Sequence, residues 1–286
     1  MTVRRIVREG VQRLQASGMG HARHEAEWLL SRLVGASPAG LYLQEPLISQ
    51  GMAERFFSQI EARACGVPLQ YVLGETEFFG RRFMVQPGVF IPRPETEMVV
   101  EAALDALRER AARLQRPLRL LDLGTGSGCI AMTLAHELPA CVVVGLEVSW
   151  QALAVARHNL MNHRLTSRVW LVQGDWTAPV GGGFDGILSN PPYVPSAQVE
   201  HLPLDVRQEP RSSLDGGDDG LRDLRLVMAE APRLLRPNGV LALECGEEQV
   251  KPLMRAATIA GWAGRVRMIR DLASRPRGLV IERLSD

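Results

Sequence analysis

Seven short apolar runs lie in the last two thirds of the chain, at 118–123, 141–147, 168–173, 184–189, 239–245, 264–269 and 278–283, and amphipathic stretches separate most of them. Runs apolar on both faces suit strands covered on both sides, and the stretches between them have the length of crossover helices. A strand, a helix and a second strand in that succession pack most readily as a parallel pair with the helix laid across the sheet. The expected core is therefore an α/β domain with a seven-stranded, mostly parallel sheet.

The chain ahead of these runs follows a different period. Val3, Ile6, Val7, Val11 and Leu14 recur three to four residues apart, as do Ala22, Ala26, Leu29, Leu30 and Leu33, and then Met52, Phe56, Phe57 and Ile60. That spacing predicts a small helical bundle over 1–66, punctuated by Gly18, Gly20, Gly35 and "SPAG" at 37–40. Phe79, Gly80 and the run from Phe83 to Val85 predict a hairpin inside a linker over 67–93, with the α/β domain over 94–286. Through residue 80, eight arginines face eight glutamates, a balance that suits a substrate-docking or lid module better than a DNA-binding arm.

Charge and cysteine usage narrow the class further. A formal net charge of +1 provides no long-range field for nucleic acid or membrane. The basic residues are almost all arginine, with Lys251 the one lysine; their scatter along the sequence reads as a compositional bias rather than as a set of anion clamps. Cys65, Cys129, Cys141 and Cys245 form no close pair, so they read as small core residues in a reducing compartment, with no metal site. The first residues lack the apolar block of a secretory signal, and no stretch has the apolar length to span a bilayer, so a cytoplasmic protein is expected.

The first run opens into "LLDLGTGSGCIA", which sets Gly124, Gly126 and Gly128 between a strand and a helix. Glycines there let the chain turn sharply and let a ligand lie against bare backbone, while the amides at the helix start attract negative charge. A dinucleotide loop places its third glycine three residues after the second, and that position is Cys129. Glycines two apart behind Asp122 resemble instead the first motif of methyltransferases dependent on S-adenosylmethionine (AdoMet). Gly124, Thr125, Gly126, Ser127 and Gly128 are then cofactor-binding candidates. Glu147, ending the second run, can accept hydrogen bonds from both ribose hydroxyls. Asp175 and Trp176, after the third run, fall where such enzymes contact the adenine.

The fourth run delivers "SNPPYVP" to the same edge of the sheet. Asn190 offers a side-chain oxygen and Pro191 a carbonyl, two acceptors for the two N–H donors of one planar amide or amine. Pro192 restricts Pro191 to extended geometry, and the Tyr193 ring is expected to lie flat on the target. Asn190, Pro191, Pro192 and Tyr193 are the catalytic candidates, with Asn190 also counted among the cofactor contacts. Amide nitrogen is a weak nucleophile, so orientation toward the methyl has to carry much of the catalysis, and no general base is required.

With "FIPRPETE" from Phe90 and "EPRSSLDGGDDGL" from Glu209, these motifs resemble the glutamine methyltransferases of peptide chain release factors, the HemK family, through nearly the whole chain. The resemblance implies an AdoMet-dependent methyltransferase of Rossmann-like fold that acts as a single chain on the glutamine of a Gly-Gly-Gln tripeptide, without contacting nucleic acid. It implies that "PRPET" at 92–96 closes over the site. Glu147 stands where the family more often has aspartate, and Cys245 follows the retained acidic residue Glu244. Three rivals are weighed: a glutamine methyltransferase of a large-subunit ribosomal protein, a DNA adenine methyltransferase and a non-catalytic AdoMet sensor. The acidic "LDGGDDG" segment is unsuited to DNA, and a sensor has no use for the acceptors of Asn190 and Pro191.

Overall fold

The computed structural model describes residues 2–259, Trp262 and 264–283. Two compact units divide the chain. One takes it through Glu75 together with Pro203–Gln208, and the other takes Thr76–Leu202 and the chain from Glu209 onward.

The first unit contains α1 (Val3–Ala16), α2 (Ala22–Val34), α3 (Pro38–Gln44), α4 (Gln50–Ala64) and α5 (Leu69–Leu73). The apolar positions read from the periodicity form its core, where Ile6, Leu14, Leu29, Leu30, Phe56 and Ile60 are fully buried. "SPAG" breaks the chain as expected but also begins α3: the Ser37 hydroxyl accepts from Gly40 N–H at 3.0 Å and Pro38 fills the first turn. Two turns are too short to show a helical period, which is why α3 escaped the sequence reading.

Arg63 is the polar centre of this unit. It is 5% exposed and binds Glu25 through two nitrogens at 2.7 and 3.1 Å. It also reaches the Val67 carbonyl at 3.1 Å and Asp205 at 3.2 Å, so the segment Pro203–Gln208 is held by a charge in α4. Next to it, Gly66 has φ +89° and a Cβ there would lie 2.4 Å from Leu204.

In the second unit, β1 (Glu75–Phe78) and β2 (Arg81–Met84) form the expected hairpin, turning through Phe79 and Gly80 at φ +53° and +67°. There follow α6 (Pro94–Arg113), β3 (Leu118–Leu123), α7 (Cys129–Glu137), β4 (Cys141–Glu147), α8 (Trp150–Asn162), β5 (Val169–Gln173) and β6 (Phe184–Ser189). After the short α9 (Ser196–Val199) come α10 (Arg222–Leu234), β7 (Leu235–Glu244), α11 (Val250–Ile259), β8 (Gly264–Arg270) and β9 (Pro276–Arg283). The sheet has the order β5-β4-β3-β6-β7-β9-β8, parallel through β7, with β9 antiparallel to both β7 and β8. The chain runs outward from β3 to β5 and then returns to lay β6 on the other side of β3. That reversal opens a crevice at the carboxyl ends of the strands.

Two sequence expectations are revised here. β7 begins at Leu235 rather than at 239: Leu235 pairs with Phe184 and the next regular pair is Gly186 with Val240, so "RPNG" bulges between them and reads as a turn. The arginine scatter conceals a cluster. Asp185, wholly buried at the start of β6, accepts from Arg110 at 2.9 and 3.1 Å, from Arg116 at 2.7 and 2.8 Å and from the Arg119 N–H at 3.0 Å. Burial alone would raise this carboxyl, but the bonds from Arg116, Arg119 and Arg110 outweigh it and hold Asp185 at about 2. Among the described residues no helix is long and apolar enough to cross a membrane, and no three His, Cys, Asp or Glu side chains are grouped to hold a metal.

Candidate active site

The glycine loop between β3 and α7 turns through Gly124, Gly126 and Gly128 at φ +72°, +55° and +84°. A Cβ at Gly124 would meet no atom within 4 Å, and one at Gly126 would meet only the Gly124 carbonyl at 4.0 Å, so both present bare backbone to open space. Gly128 is different: a Cβ there would strike Met132 at 2.5 Å, so this glycine serves packing between loop and helix.

Two carboxylates hold the loop's shape. Asp122 is fully buried; its Oδ2 accepts from the Thr125 hydroxyl at 2.5 Å and from Ala131 N–H at 3.0 Å, while Oδ1 has no partner among the described residues. Burial pushes its pKa up to about 7. Glu147, at the tip of β4, accepts from Gly126 N–H and from Ser149 N–H, each at 2.9 Å. Each of its oxygens keeps a further lone pair, so the longer side chain holds the loop and is still able to accept from a ligand's hydroxyls.

Ser127 is buried at the loop's far side, and its carbonyl accepts from Asn159 at 2.9 Å. The same Asn159 amide exchanges hydrogen bonds with the Met84 backbone at 2.7 and 3.0 Å, so one side chain of α8 fastens the end of β2 to the glycine loop. On the adjoining wall, Gly174 N–H donates to the Glu147 carbonyl at 3.1 Å, Asp175 is exposed, and half-buried Trp176 sits at φ +44°. A bulky aromatic rarely adopts that backbone, and such positions cluster at ligand sites.

Across the crevice, the Ser189 hydroxyl donates to the Leu123 carbonyl at 2.7 Å, which joins the ends of β6 and β3. Asn190 Nδ2 then donates to Thr96 Oγ1 at 3.1 Å, and the Thr96 hydroxyl donates to Glu244. Among the described residues, neither Asn190 Oδ1 nor the Pro191 carbonyl accepts a hydrogen bond. Glu244 is 1% exposed and accepts from the Tyr193 hydroxyl at 3.1 Å through its other oxygen. Burial drives Glu244 up to about 7, and burial beside Glu244 raises the Tyr193 hydroxyl as well.

One cleft, about 1160 Å³ with the open solvent at its mouth included, takes in Gly124, Thr125, Gly126, Ser127, Glu147, Asp175, Trp176, Asn190, Pro191 and Pro192. Gly128 and Tyr193 are not among its lining residues, and the Tyr193 hydroxyl donates to Glu244. The strip from Gly88 to Thr96 forms another side. It is pinned by Glu209, which accepts from Ile91 N–H at 2.9 Å and pairs with Arg93.

Comparison with known proteins agrees with this geometry. Residues 81–205 match the methyltransferase small domain family and 5–74 match the PrmC N-terminal domain. The release factor glutamine methyltransferase of Moorella thermoacetica is 42% identical over 97% of both chains, and that of Geobacter sulfurreducens is 42% identical over 88% of this chain and 87% of its own. The chain belongs to the release factor glutamine methyltransferase family. Its fold is that of methyltransferases more widely. A methyltransferase from Pyrococcus furiosus, 20% identical, superimposes with a TM-score of 0.52 over 83% of this chain and all of that one. The catalytic domain of hMettl16 with an RNA hairpin, 16% identical, gives 0.56 over 83% and 84%.

In this release factor glutamine methyltransferase family member, the residues that sequence reasoning passed over are those that act through others. Thr96 lay within a segment expected to close over the site, but its bond to Asn190 gave no signal. Asn159 looks like any polar position on a helix, and only its burial to 1% exposure sets it apart. Glu209 could have been noticed through the motif that it opens.

Proposed function

We propose that this protein transfers a methyl group from AdoMet to the side-chain amide nitrogen of the glutamine in the Gly-Gly-Gln motif of a peptide chain release factor. The observation that carries the reading is the pair of unpartnered acceptors, Asn190 Oδ1 and the Pro191 carbonyl, in the wall of a cleft whose floor is the bare backbone of Gly124 and Gly126. The residues present fit the cofactor: open glycine backbone for its methionine part, Glu147 for the ribose hydroxyls, and Asp175 with Trp176 beside the adenine. AdoMet, when bound, supplies an electrophilic methyl on a positively charged sulfur that leaves as a neutral thioether.

The protein's own groups then have a limited task. Asn190 and Pro191 receive the two N–H bonds of the glutamine amide and so fix the plane and position of its nitrogen. A carboxamide held by both hydrogens keeps its residual lone pair perpendicular to that plane, aimed at the cofactor side of the cleft. After transfer the nitrogen loses one proton, which passes to solvent, and no basic side chain is needed. The first unit is assigned the docking of the protein substrate, in the cytoplasm and by a single chain.

The test is transfer of radiolabel from AdoMet to a release factor. Label appears on the wild-type factor and is absent when its Gly-Gly-Gln glutamine is replaced by alanine; label on a ribosomal protein or duplex DNA instead overturns the assignment. Asn190→Ala lowers turnover by about 10²- to 10³-fold, the size of loss seen when one preorganised polar group is removed from a reaction centre. Calorimetry shows AdoMet binding retained in that variant.

A further inference from the structure

Asn190 is useful only in one orientation. A side-chain amide has an acceptor at one end and a donor at the other, and turned by half a rotation it would face the glutamine NH2 with its own NH2. Its shape does not choose between the two, because oxygen and nitrogen are nearly the same size. What chooses is the polarity of the group that it meets, and here that group is Thr96 Oγ1, at 3.1 Å from Nδ2.

A hydroxyl either gives or takes, so the choice passes one step back. Thr96 is 3% exposed and directs its proton to Glu244, which is 1% exposed and receives the Tyr193 hydroxyl on its other oxygen at 3.1 Å. A carboxylate has only lone pairs to offer and therefore obliges both hydroxyls to donate. Thr96 then has only lone pairs left for Asn190, which must answer with Nδ2, and Oδ1 is left facing the cleft. We propose that Glu244 and Thr96 form a positioning relay that sets the orientation of the Asn190 amide, with Thr96 as the element that converts the carboxylate's polarity into a free acceptor for substrate. The proposal rests on Asn190 as the glutamine acceptor and adds to it the device that keeps that acceptor exposed.

The relay has a condition. Protonated, Glu244 holds one donor and can no longer compel both neighbours; Thr96 is then free to give its proton to Asn190, and the amide turns. Burial raises Glu244 to about 7, with Glu95 of α6 adding to the rise and the bonds from Thr96 and Tyr193 and the charge of Arg277 opposing it. The Cys245 thiol, the next side chain, is itself raised by burial and by Glu244 and stays neutral there. Arg277 is shared with Asp271 at 3.0 Å and Glu95 at 3.9 Å, so it screens Glu244 without pairing with it. Turnover therefore climbs as pH rises through about 7.

The experiment compares the full chain with Thr96→Val, Thr96→Ser, Glu244→Gln, Asn190→Ala and the double variant Thr96→Val with Asn190→Ala, using release factor and AdoMet as probes. Thr96→Val keeps the shape but removes the hydroxyl. It lowers kcat by about 10- to 100-fold, as loss of a group orienting a reactive side chain does, with melting temperature and AdoMet affinity unchanged. Thr96→Ser restores turnover, and adding Thr96→Val to Asn190→Ala costs nothing more. The rise of kcat with pH disappears in Glu244→Gln and in Thr96→Val, an effect that a packing role would not produce. Wild-type turnover by Thr96→Val beside an inactive Asn190→Ala overturns the relay and leaves the active-site reading standing. Failure of Thr96→Ser to restore activity, or additive losses in the double variant, also overturns it. Full activity in Asn190→Ala brings down the active-site reading itself.

Discussion

At its amino end β6 carries Asp185, and at its carboxyl end it delivers Asn190 to the cleft. The carboxylates serving those two ends, Asp185 and Glu244, are equally shielded from water and are held in opposite regimes. Asp185 is surrounded by Arg110, Arg116 and the Arg119 N–H, and sits at about 2. Among the described residues, Glu244 meets only neutral hydroxyls at hydrogen-bond distance, and it sits at about 7. Guanidinium groups make a buried charge an anchor, because its ionisation strengthens the fold. Hydroxyls leave it close to neutrality, where its state is adjustable and its burial is a burden. Asp122, behind the glycine loop and also raised to about 7, belongs with Glu244. The sheet therefore keeps its rigid electrostatics at one edge and its responsive electrostatics at the edge that binds ligands.

The strongest challenge to that contrast is Asp185→Ala. Chemical denaturation should show a loss of about 2–3 kcal/mol, since the substitution leaves the Arg119 N–H and the mostly covered Arg110 guanidinium without their carboxylate, while AdoMet affinity stays at the wild-type value. A stable variant would mean that the arginines hold one another through solvent and that the anchor is illusory.

The pH dependence of stability should separate the two edges next. Asp185 has a lowered pKa, so its contribution is complete above 3.8 and is lost as pH falls through about 2. Glu244 has a raised pKa, so its contribution is complete below 4.5 and is lost as pH rises through about 7. Glu244→Gln should therefore gain stability relative to wild type across that upper interval, by on the order of 1–3 kcal/mol, at the same time as it loses control of turnover. Parallel melting curves for the two proteins at every pH would contradict the assigned state of Glu244.

The smallest effect belongs to Arg236, which approaches Asp185 only to 3.8 Å and is 30% exposed. Arg236→Ala should cost less than about 0.5 kcal/mol, as peripheral ion pairs do. A larger loss would extend the cage around Asp185 by one member.

How much of this was readable beforehand follows from the range of the forces involved. The strands were legible because burial on both faces demands unbroken apolar runs. The glycine loop was legible because only glycine adopts its turns without strain. The Thr96–Glu244 contact spans 148 residues and leaves no periodic trace, so no local pattern announces it. The cage around Asp185 gathers Arg110 and Arg116, each unremarkable where it stands in sequence. The turn of Tyr193 toward Glu244 was missed for the same reason: its motif showed an aromatic ring but not the partner of its hydroxyl.

The segment Pro203–Gln208 belongs to the helical unit although the chain on both sides of it belongs to the other, and Asp205 and Leu204 meet Arg63 and Gly66 there. A gene fragment ending near codon 75 thus encodes the helices without their final six residues, leaving Arg63 one partner short. Recombination, which exchanges contiguous stretches of DNA, cannot move this unit as a cassette. Its contacts at Arg63 and Gly66 depend on a segment encoded more than a hundred codons downstream, and a chimaera between relatives keeps them matched when both pieces come from the same parent.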